Sequence, residues 1–302
     1  MKKRLADTND VRVIEVGPRD GFQNLKDFIP TETKIKEIEL LIASGIKEIE
    51  VTSFVHPKAI PQMADAAEVA SYIAGEYSDV RLMALVPNKK GAENAIKCGI
   101  QNVAYVISAS EAHNKANVNR AVEESLADIS QLMREFPELK VRVDVATAFG
   151  CPYEGIMPED KVFRIVDQVL NDGADEIVLC DTIGVANPLQ VRKMCESFKT
   201  RYPDEDFALH LHDTRGLGLA NAYAALEFGV RALETSVGGL GGCPFAPGAA
   251  GNTATEDLLN MLDSMGMNTG VDYEKYMEAV DFAAKNIKKN LTSRMYHANC
   301  RI

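Results

Sequence analysis

The sequence predicts an α/β fold, a (β/α)8 TIM barrel with an additional C-terminal helix and tail, on three observations. Eight short β-branched or apolar runs recur, stretches of helical period lie between them, and no low-complexity linker interrupts the series. The runs are VRVIEVG from Val11, EIEVTSF from Glu48, RLMALV from Arg81, NVAYVISA from Asn102, KVRVDVATAF from Lys140, EIVLCDTI from Glu176, FALHLHD from Phe207 and ALETSVGG from Ala232. Their starts lie on average about 32 residues apart, the size of one βα unit. Eight such units close a barrel. A doubly wound open sheet has the same alternation, but the first strand runs into EVGPRDGFQN instead of a GxGxxG turn.

The helices carry recognisable ends. Thr31 is expected to cap a helix with an acidic first turn and an apolar face through Ile35, Ile38, Leu41 and Ile42, and Gly45 to stop it. Pro158 and Pro188 sit where helices begin. After Asn252 come a last barrel helix near Ala254 to Met265, a further helix near Tyr273 to Lys289, and a polar tail. One catalytic domain is expected over residues 1–302, with the barrel over about 11–266 and a helical extension over about 267–302.

Composition narrows the function. The 302 residues are 46% hydrophobic, enough for one sizeable α/β core. With 33 Lys plus Arg against 44 Asp plus Glu, the net charge of −11 argues against nucleic acid or an anionic membrane as partner. A few local cations still suffice for an anionic substrate. Cys98, Cys151, Cys180, Cys195, Cys243 and Cys300 form no CxxC pair, which speaks against a structural zinc and for a reducing compartment. The polar start MKKRLADTND and the lack of a long apolar window predict a cytoplasmic protein.

Catalytic groups of such barrels gather at the C-terminal ends of the strands, and polar residues are dense there. The first strand ends in Arg19 and Asp20, the second carries Glu50 and Ser53, the fifth Thr147, the sixth Asp181 and Thr182, and the seventh His210, His212 and Asp213. Taken singly, a strand-end Asp is often a helix cap and a barrel Glu half of an ion pair. His210 and His212 are two apart on a strand, so both imidazoles share a face. With the Asp20 carboxylate and the Asn252 amide they would make a mixed nitrogen and oxygen set suited to Mg2+ or Mn2+. Asp213 would orient one imidazole from behind. Gly238 to Asn252, GGLGGCPFAPGAAGN, places six glycines and two prolines around Cys243. That composition makes a shaped loop, whose thiol either packs or takes part in chemistry.

EVGPRDGFQN, IEVTSFVHPKAIPQMAD, SASEAHNKANVN, FGCPYEG, DTIGVANP, HLHDTRGLGLAN and GGLGGCPFAPGAAGNTATEDL together resemble the 3-hydroxy-3-methylglutaryl-CoA lyase family, among the barrel metallolyases related to Claisen condensing enzymes. The resemblance runs through nearly the whole barrel. It implies Asp20, His210, His212 and Asn252 as metal ligands for Mg2+ or Mn2+, and Arg19 as the cation facing a thioester carbonyl. It further implies Glu50 as an active-site carboxylate and Cys243 as a mobile loop thiol needed for turnover. Gln23, Ser53, Thr147 and Thr182 join Arg19 as the expected substrate-binding set. The implied reaction, by a homodimer, is retro-Claisen cleavage of 3-hydroxy-3-methylglutaryl-CoA, or a close 3-hydroxyacyl-CoA, to acetyl-CoA and a keto acid, acetoacetate for the first substrate. A same-fold condensing enzyme or an aldolase acting on a 2-oxo acid is the alternative, and a catalytically silent binding barrel a remote one. The sequence departs from the family at Phe22, Leu25, His56, Ala59, Arg215 and Leu217. These positions spare the expected ligands and bear on the acyl group. Arg215 adds a rim cation, for a substrate carboxylate or a surface acid.

Overall fold

The structure, a computed structural model, describes residues 9–242 and 251–298. The strands are β1 (Arg12–Glu15), β2 (Glu48–Ser53), β3 (Arg81–Leu85), β4 (Asn102–Ser108), β5 (Lys140–Ala146), the short β6 (Gly150–Cys151) and β7 (Gly155–Ile156), then β8 (Glu176–Asp181), β9 (Phe207–Leu211) and β10 (Ala232–Thr235). All except β6 and β7 form a closed parallel barrel in the order β1-β10-β9-β8-β5-β4-β3-β2, while β6 and β7 pair as an antiparallel hairpin. Seven of the eight predicted starts coincide with a barrel strand, and the first differs by one residue.

The barrel helices are α1 (Thr31–Ala43), α2 (Ala66–Glu76), α3 (Lys89–Lys97), α4 (Glu111–Val118), α5 (Val122–Glu135), α6 (Glu159–Asn171), α7 (Pro188–Arg201), α8 (Gly218–Glu227) and α9 (Thr255–Ser264), followed by α10 (Tyr273–Asn286) and α11 (Arg294–Ala298). Their apolar stripes pack on the outer faces of the strands in one continuous core. Inside the barrel, Ile14, Val16, Val178, Cys180, Ala208 and Ala232 form a small separate cluster. Successive interior positions on one strand are two residues apart, so Ala208, His210 and His212 climb one face of β9 and its end. Glu234 stands two residues above Ala232 on β10. At the N-terminal end, Arg12 pairs with Glu48 at 2.6 Å and Glu176 at 3.0 Å, and Arg81 with the same two at 3.0 and 2.9 Å.

Pro188 opens α7 behind the Asn187 cap, Pro158 itself caps α6, and Gly45, at φ +102°, ends the α1 turn. Two expectations need correction. Thr31 is the first helical residue rather than the cap; Pro30 occupies that place, and the Thr31 hydroxyl donates to Asp65 at 2.9 Å. The segment after α10 is not merely a polar tail through residue 298. It buries Leu291 and Ser293 and forms α11, because Asp257 on α9 accepts from Ser293 Oγ and from the Arg294 and Met295 amides. Cys300 lies outside the described residues. No described helix is long and apolar enough to cross a membrane.

Candidate active site

The chain leaves β1 through a wide turn, Gly17–Gly21, in which the amides of Arg19, Asp20 and Gly21 all return to the Val16 carbonyl. Gly17 is required here, since a Cβ would lie 2.6 Å from Glu15 Oε1 and 2.8 Å from Val237. The turn delivers Arg19 and Asp20 to the barrel mouth. Arg19 forms a two-pronged pair with Glu50, at 2.8 and 3.0 Å, and donates to Asp20 at 2.6 Å. Gln23 Nε2 donates to the same Asp20 oxygen at 2.8 Å, and Asn252 Nδ2 to the other at 2.7 Å. Burial opposes ionisation of Asp20, but Arg19 and the two histidines outweigh it and pull its pKa to about 2.

On β9 the two imidazoles meet. His210 Nδ1 lies 2.9 Å from Glu234, and His210 Nε2 lies 3.0 Å from His212 Nε2. A proton held on Nδ1 and donated to Glu234 leaves His210 Nε2 as an acceptor, so His212 Nε2 donates to it. Burial disfavours a charge on either ring, yet the Glu234 hydrogen bond and charge raise the His210 pKa. Burial and the neighbouring His210 charge lower that of His212 to about 3. One ligand atom each from Asp20, His210 and His212 lie within 4.8 Å of one another. For both Nε2 atoms to serve a cation, the His212 hydrogen must move to Nδ1; Asn252 Oδ1, buried without a partner beside Asp20, adds an oxygen still free to bind one. The donor set therefore fits a divalent ion.

Beneath this rim lies a charged layer that the strand-end reading missed. Arg142, fully buried on β5, reaches Glu50 at 3.1 Å, Asp144 at 2.8 Å and Glu234 at 2.5 Å. Burial lifts Asp144 to about 7 in spite of Arg142. The signal was present in KVRVDVA: Arg142 and Asp144 alternate with valines, which assigns the charged face to the barrel interior.

The remaining candidates sit on the same rim with their polar atoms engaged. Ser53 Oγ reaches the Leu85 carbonyl at 3.4 Å, Thr147 Oγ1 lies 2.8 Å from Ser108 Oγ, and Thr182 Oγ1 accepts from the Thr147 amide at 2.8 Å. Thr147 is a buried β-branched residue at φ +57°, a strained backbone that these contacts hold in place. Asp181 accepts the Val185 and Ala186 amides, and burial lifts its pKa to about 6. Two expectations are corrected. Asp213 orients no imidazole; its Oδ1 caps α8 through Gly218 N at 2.7 Å, and Glu234 takes the role behind His210. Arg215 meets no described acid, donating instead to the carbonyls of Ile183 and Gly184 at 2.9 and 2.8 Å.

Asn252 reaches the site because its segment docks between two strand ends. Residue 252 bridges His212 and residue 254 bridges Ser236, while Asp213 N donates to Gly251 O and Thr253 N to Leu211 O. Gly241, at φ +129°, makes room for the Asn252 amide, which a Cβ would approach to 2.5 Å. Cys243 lies outside the described residues.

A family model described as HMGL-like matches residues 10–283. Hydroxymethylglutaryl-CoA lyase YngG of Bacillus subtilis (strain 168) is 45% identical over 286 residues, covering 94% of this chain and 95% of that one. The cytoplasmic 3-hydroxy-3-methylglutaryl-CoA lyase of Rattus norvegicus is 44% identical over 291 residues, 96% of this chain and 84% of that one. Among solved structures, an HMG-CoA lyase from Acinetobacter baumannii in complex with coenzyme A and 3-methylmalate superposes with a TM-score of 0.92 at 38% identity, covering 99% of this chain and 97% of that chain.

Proposed function

The chain belongs to the HMGL-like family, and from this premise we propose that it is a divalent-metal-dependent carbon-carbon lyase. It cleaves 3-hydroxy-3-methylglutaryl-CoA to acetyl-CoA and acetoacetate, or a close 3-hydroxyacyl-CoA to acetyl-CoA and the corresponding keto acid. The observation that carries the reading is the convergence of Asp20, His210 and His212 beside the Arg19–Glu50 pair. The bound coenzyme A in the Acinetobacter relative supports a CoA thioester as substrate.

The reaction removes the proton of the 3-hydroxyl, forms the carbonyl of the keto acid and breaks the adjacent carbon-carbon bond. The released electron pair becomes an acyl-CoA enolate, which a proton converts to acetyl-CoA. Asp20, His210, His212 and Asn252 would hold the ion, and a mixed oxygen and imidazole set would favour Mg2+ or Mn2+. Bound there, such an ion would polarise the substrate hydroxyl and lower its pKa. Arg19, fixed by Glu50, remains protonated and stabilises charge developing on the thioester oxygen. Glu234 keeps His210 in one tautomer and one orientation. Gln23, Ser53, Thr147 and Thr182 shape the acyl pocket, and Cys243 supplies a thiol needed for turnover. We place the protein in the cytoplasm, in keeping with the rat relative, as a homodimer whose mass sedimentation equilibrium would check.

The test is a coupled assay of a thioester panel at controlled Mg2+ or Mn2+. Metal-dependent cleavage of hydroxymethylglutaryl-CoA is expected, with activity abolished in a folded His210→Ala and kcat lowered more than substrate affinity in Cys243→Ser. Failure to cleave any thioester would turn the reading toward condensation or a 2-oxo acid aldolase.

A further inference from the structure

Five residues, Gly238 to Gly242, contain four glycines, yet this stretch carries the carbonyl that fixes Asn252. Glycine runs have the largest conformational freedom to lose, so the segment needs ties from outside. The C-terminal segment supplies them. Thr292 N donates to Gly238 O at 3.1 Å, and Thr292 Oγ1 to Gly239 O at 3.2 Å. The Leu291 side chain lies so close that a Cβ on Gly238 would come within 2.7 Å of it. Ser293, Arg294 and Met295 anchor the same segment to Asp257, so the tie is itself held. One peptide beyond Gly239, the Leu240 carbonyl accepts from Asn252 Nδ2 at 2.9 Å, and the same nitrogen donates to Asp20 at 2.7 Å.

We infer that Thr292 is a positioning residue of the metal site, acting through the Gly239–Leu240 peptide on the Asn252 amide. It touches neither substrate nor ion. The inference rests on the reading of Asp20, His210, His212 and Asn252 as ligands. Its consequence is that part of the site's affinity is set by a segment 40 residues later in the chain (Asn252 to Thr292), after the barrel has closed.

Manganese binding to the full-length protein, read as free Mn2+ by electron paramagnetic resonance, tests it without turnover. Thr292→Val is expected to raise the Mn2+ Kd by about 10-fold, the lower range for loss of a group that orients a ligand. Thr292→Ser, which keeps the hydroxyl, should remain within about 2-fold of wild type on the same scale. In kinetics the Val variant should lose kcat at limiting metal, recover it at excess metal, and keep the thioester KM. If Thr292→Val melts early, Thr292→Ala removes the hydroxyl without adding a methyl and serves in the same comparison. An unchanged Mn2+ Kd in a folded hydroxyl-free variant overturns this inference alone, provided wild type binds Mn2+ and His212→Ala does not. A wild type that binds no Mn2+ overturns the ligand reading together with it.

Discussion

Glu234 shows how one residue couples the site to the layer below. Its Oε2 faces His210 Nδ1 at 2.9 Å, and its Oε1 faces Arg142 at 2.5 Å. Glu234→Gln keeps the shape and removes the charge; its one carbonyl oxygen turns to the donor-only Arg142, so the amide NH2 faces His210 Nδ1 and His210 loses the acceptor that fixes its tautomer. We predict a fall of about 10-fold in Mn2+ affinity and in kcat at fixed metal, with cooperative melting retained because Glu50 and Asp144 still face Arg142. Titration and a thermal melt of the same sample would check it; an unaltered affinity would mean that packing alone orients His210. Asp20, His210 and His212 were legible in the sequence because they stand at strand ends, where this fold puts its chemistry. Glu234, Arg142 and Asp144 were not, since they lie inside strands and announce themselves only through alternation with apolar neighbours. Asp213 misled for a related reason: adjacency to His212 in sequence places it beyond the strand, where the α8 amides are the nearer partners.

Among the elements, α1, α9 and the end of β1 bring three buried acids, Glu37, Glu256 and Glu15, into one seam that periodicity could not foresee, with Tyr276 of α10 donating to Glu15. Glu256 is fully buried on α9; its Oε2 accepts the Gly238 amide, and its Oε1 has no partner. Burial raises its pKa from 4.5 to about 8. Because the folded pKa exceeds the unfolded one, the native state favours the protonated form. Its contribution to stability is full below about pH 4.5 and is lost as pH rises through about 8. Glu37 and Glu15 share the seam, and burial raises both as well. Glu256→Gln fixes the neutral form. We predict a Tm gain on the order of 2–5 °C at pH 8.5 and little change near pH 5. Scanning calorimetry at the two pH values decides, since an equal pH dependence in variant and wild type would assign the proton to another group. The helices themselves were readable from apolar spacing and proline. What the spacing left out was Glu37 on the buried face of α1, a position an amphipathic pattern assigns to solvent, and the docking of residues 291–298, which rests on Asp257 and on the Gly238 and Gly239 carbonyls.

For the molecule as a whole, the two ends of the barrel divide the work. The C-terminal mouth gathers groups whose charges are held close together for chemistry, whereas the N-terminal end is closed by Arg12, Glu48, Arg81 and Glu176. Polar residues at that lower face belong to stability in this architecture. Roughly one strand length, on the order of 15 Å, separates the two. Glu48 is the hinge of the lower network, accepting from Arg12 at 2.6 Å twice and from Arg81 at 3.0 Å. Glu48→Gln leaves two guanidinium groups sharing Glu176 alone. Removing one member of such a partly buried network costs about 1–3 kcal/mol, which a shift of the urea midpoint would record. The cost should appear in stability only, with kcat and KM at saturating metal within about 2-fold of wild type, because well-separated sites act nearly independently. Matching losses in kcat and in midpoint would mean instead that the charged layer of Glu50, Arg142 and Glu234 transmits strain along the barrel axis to His210.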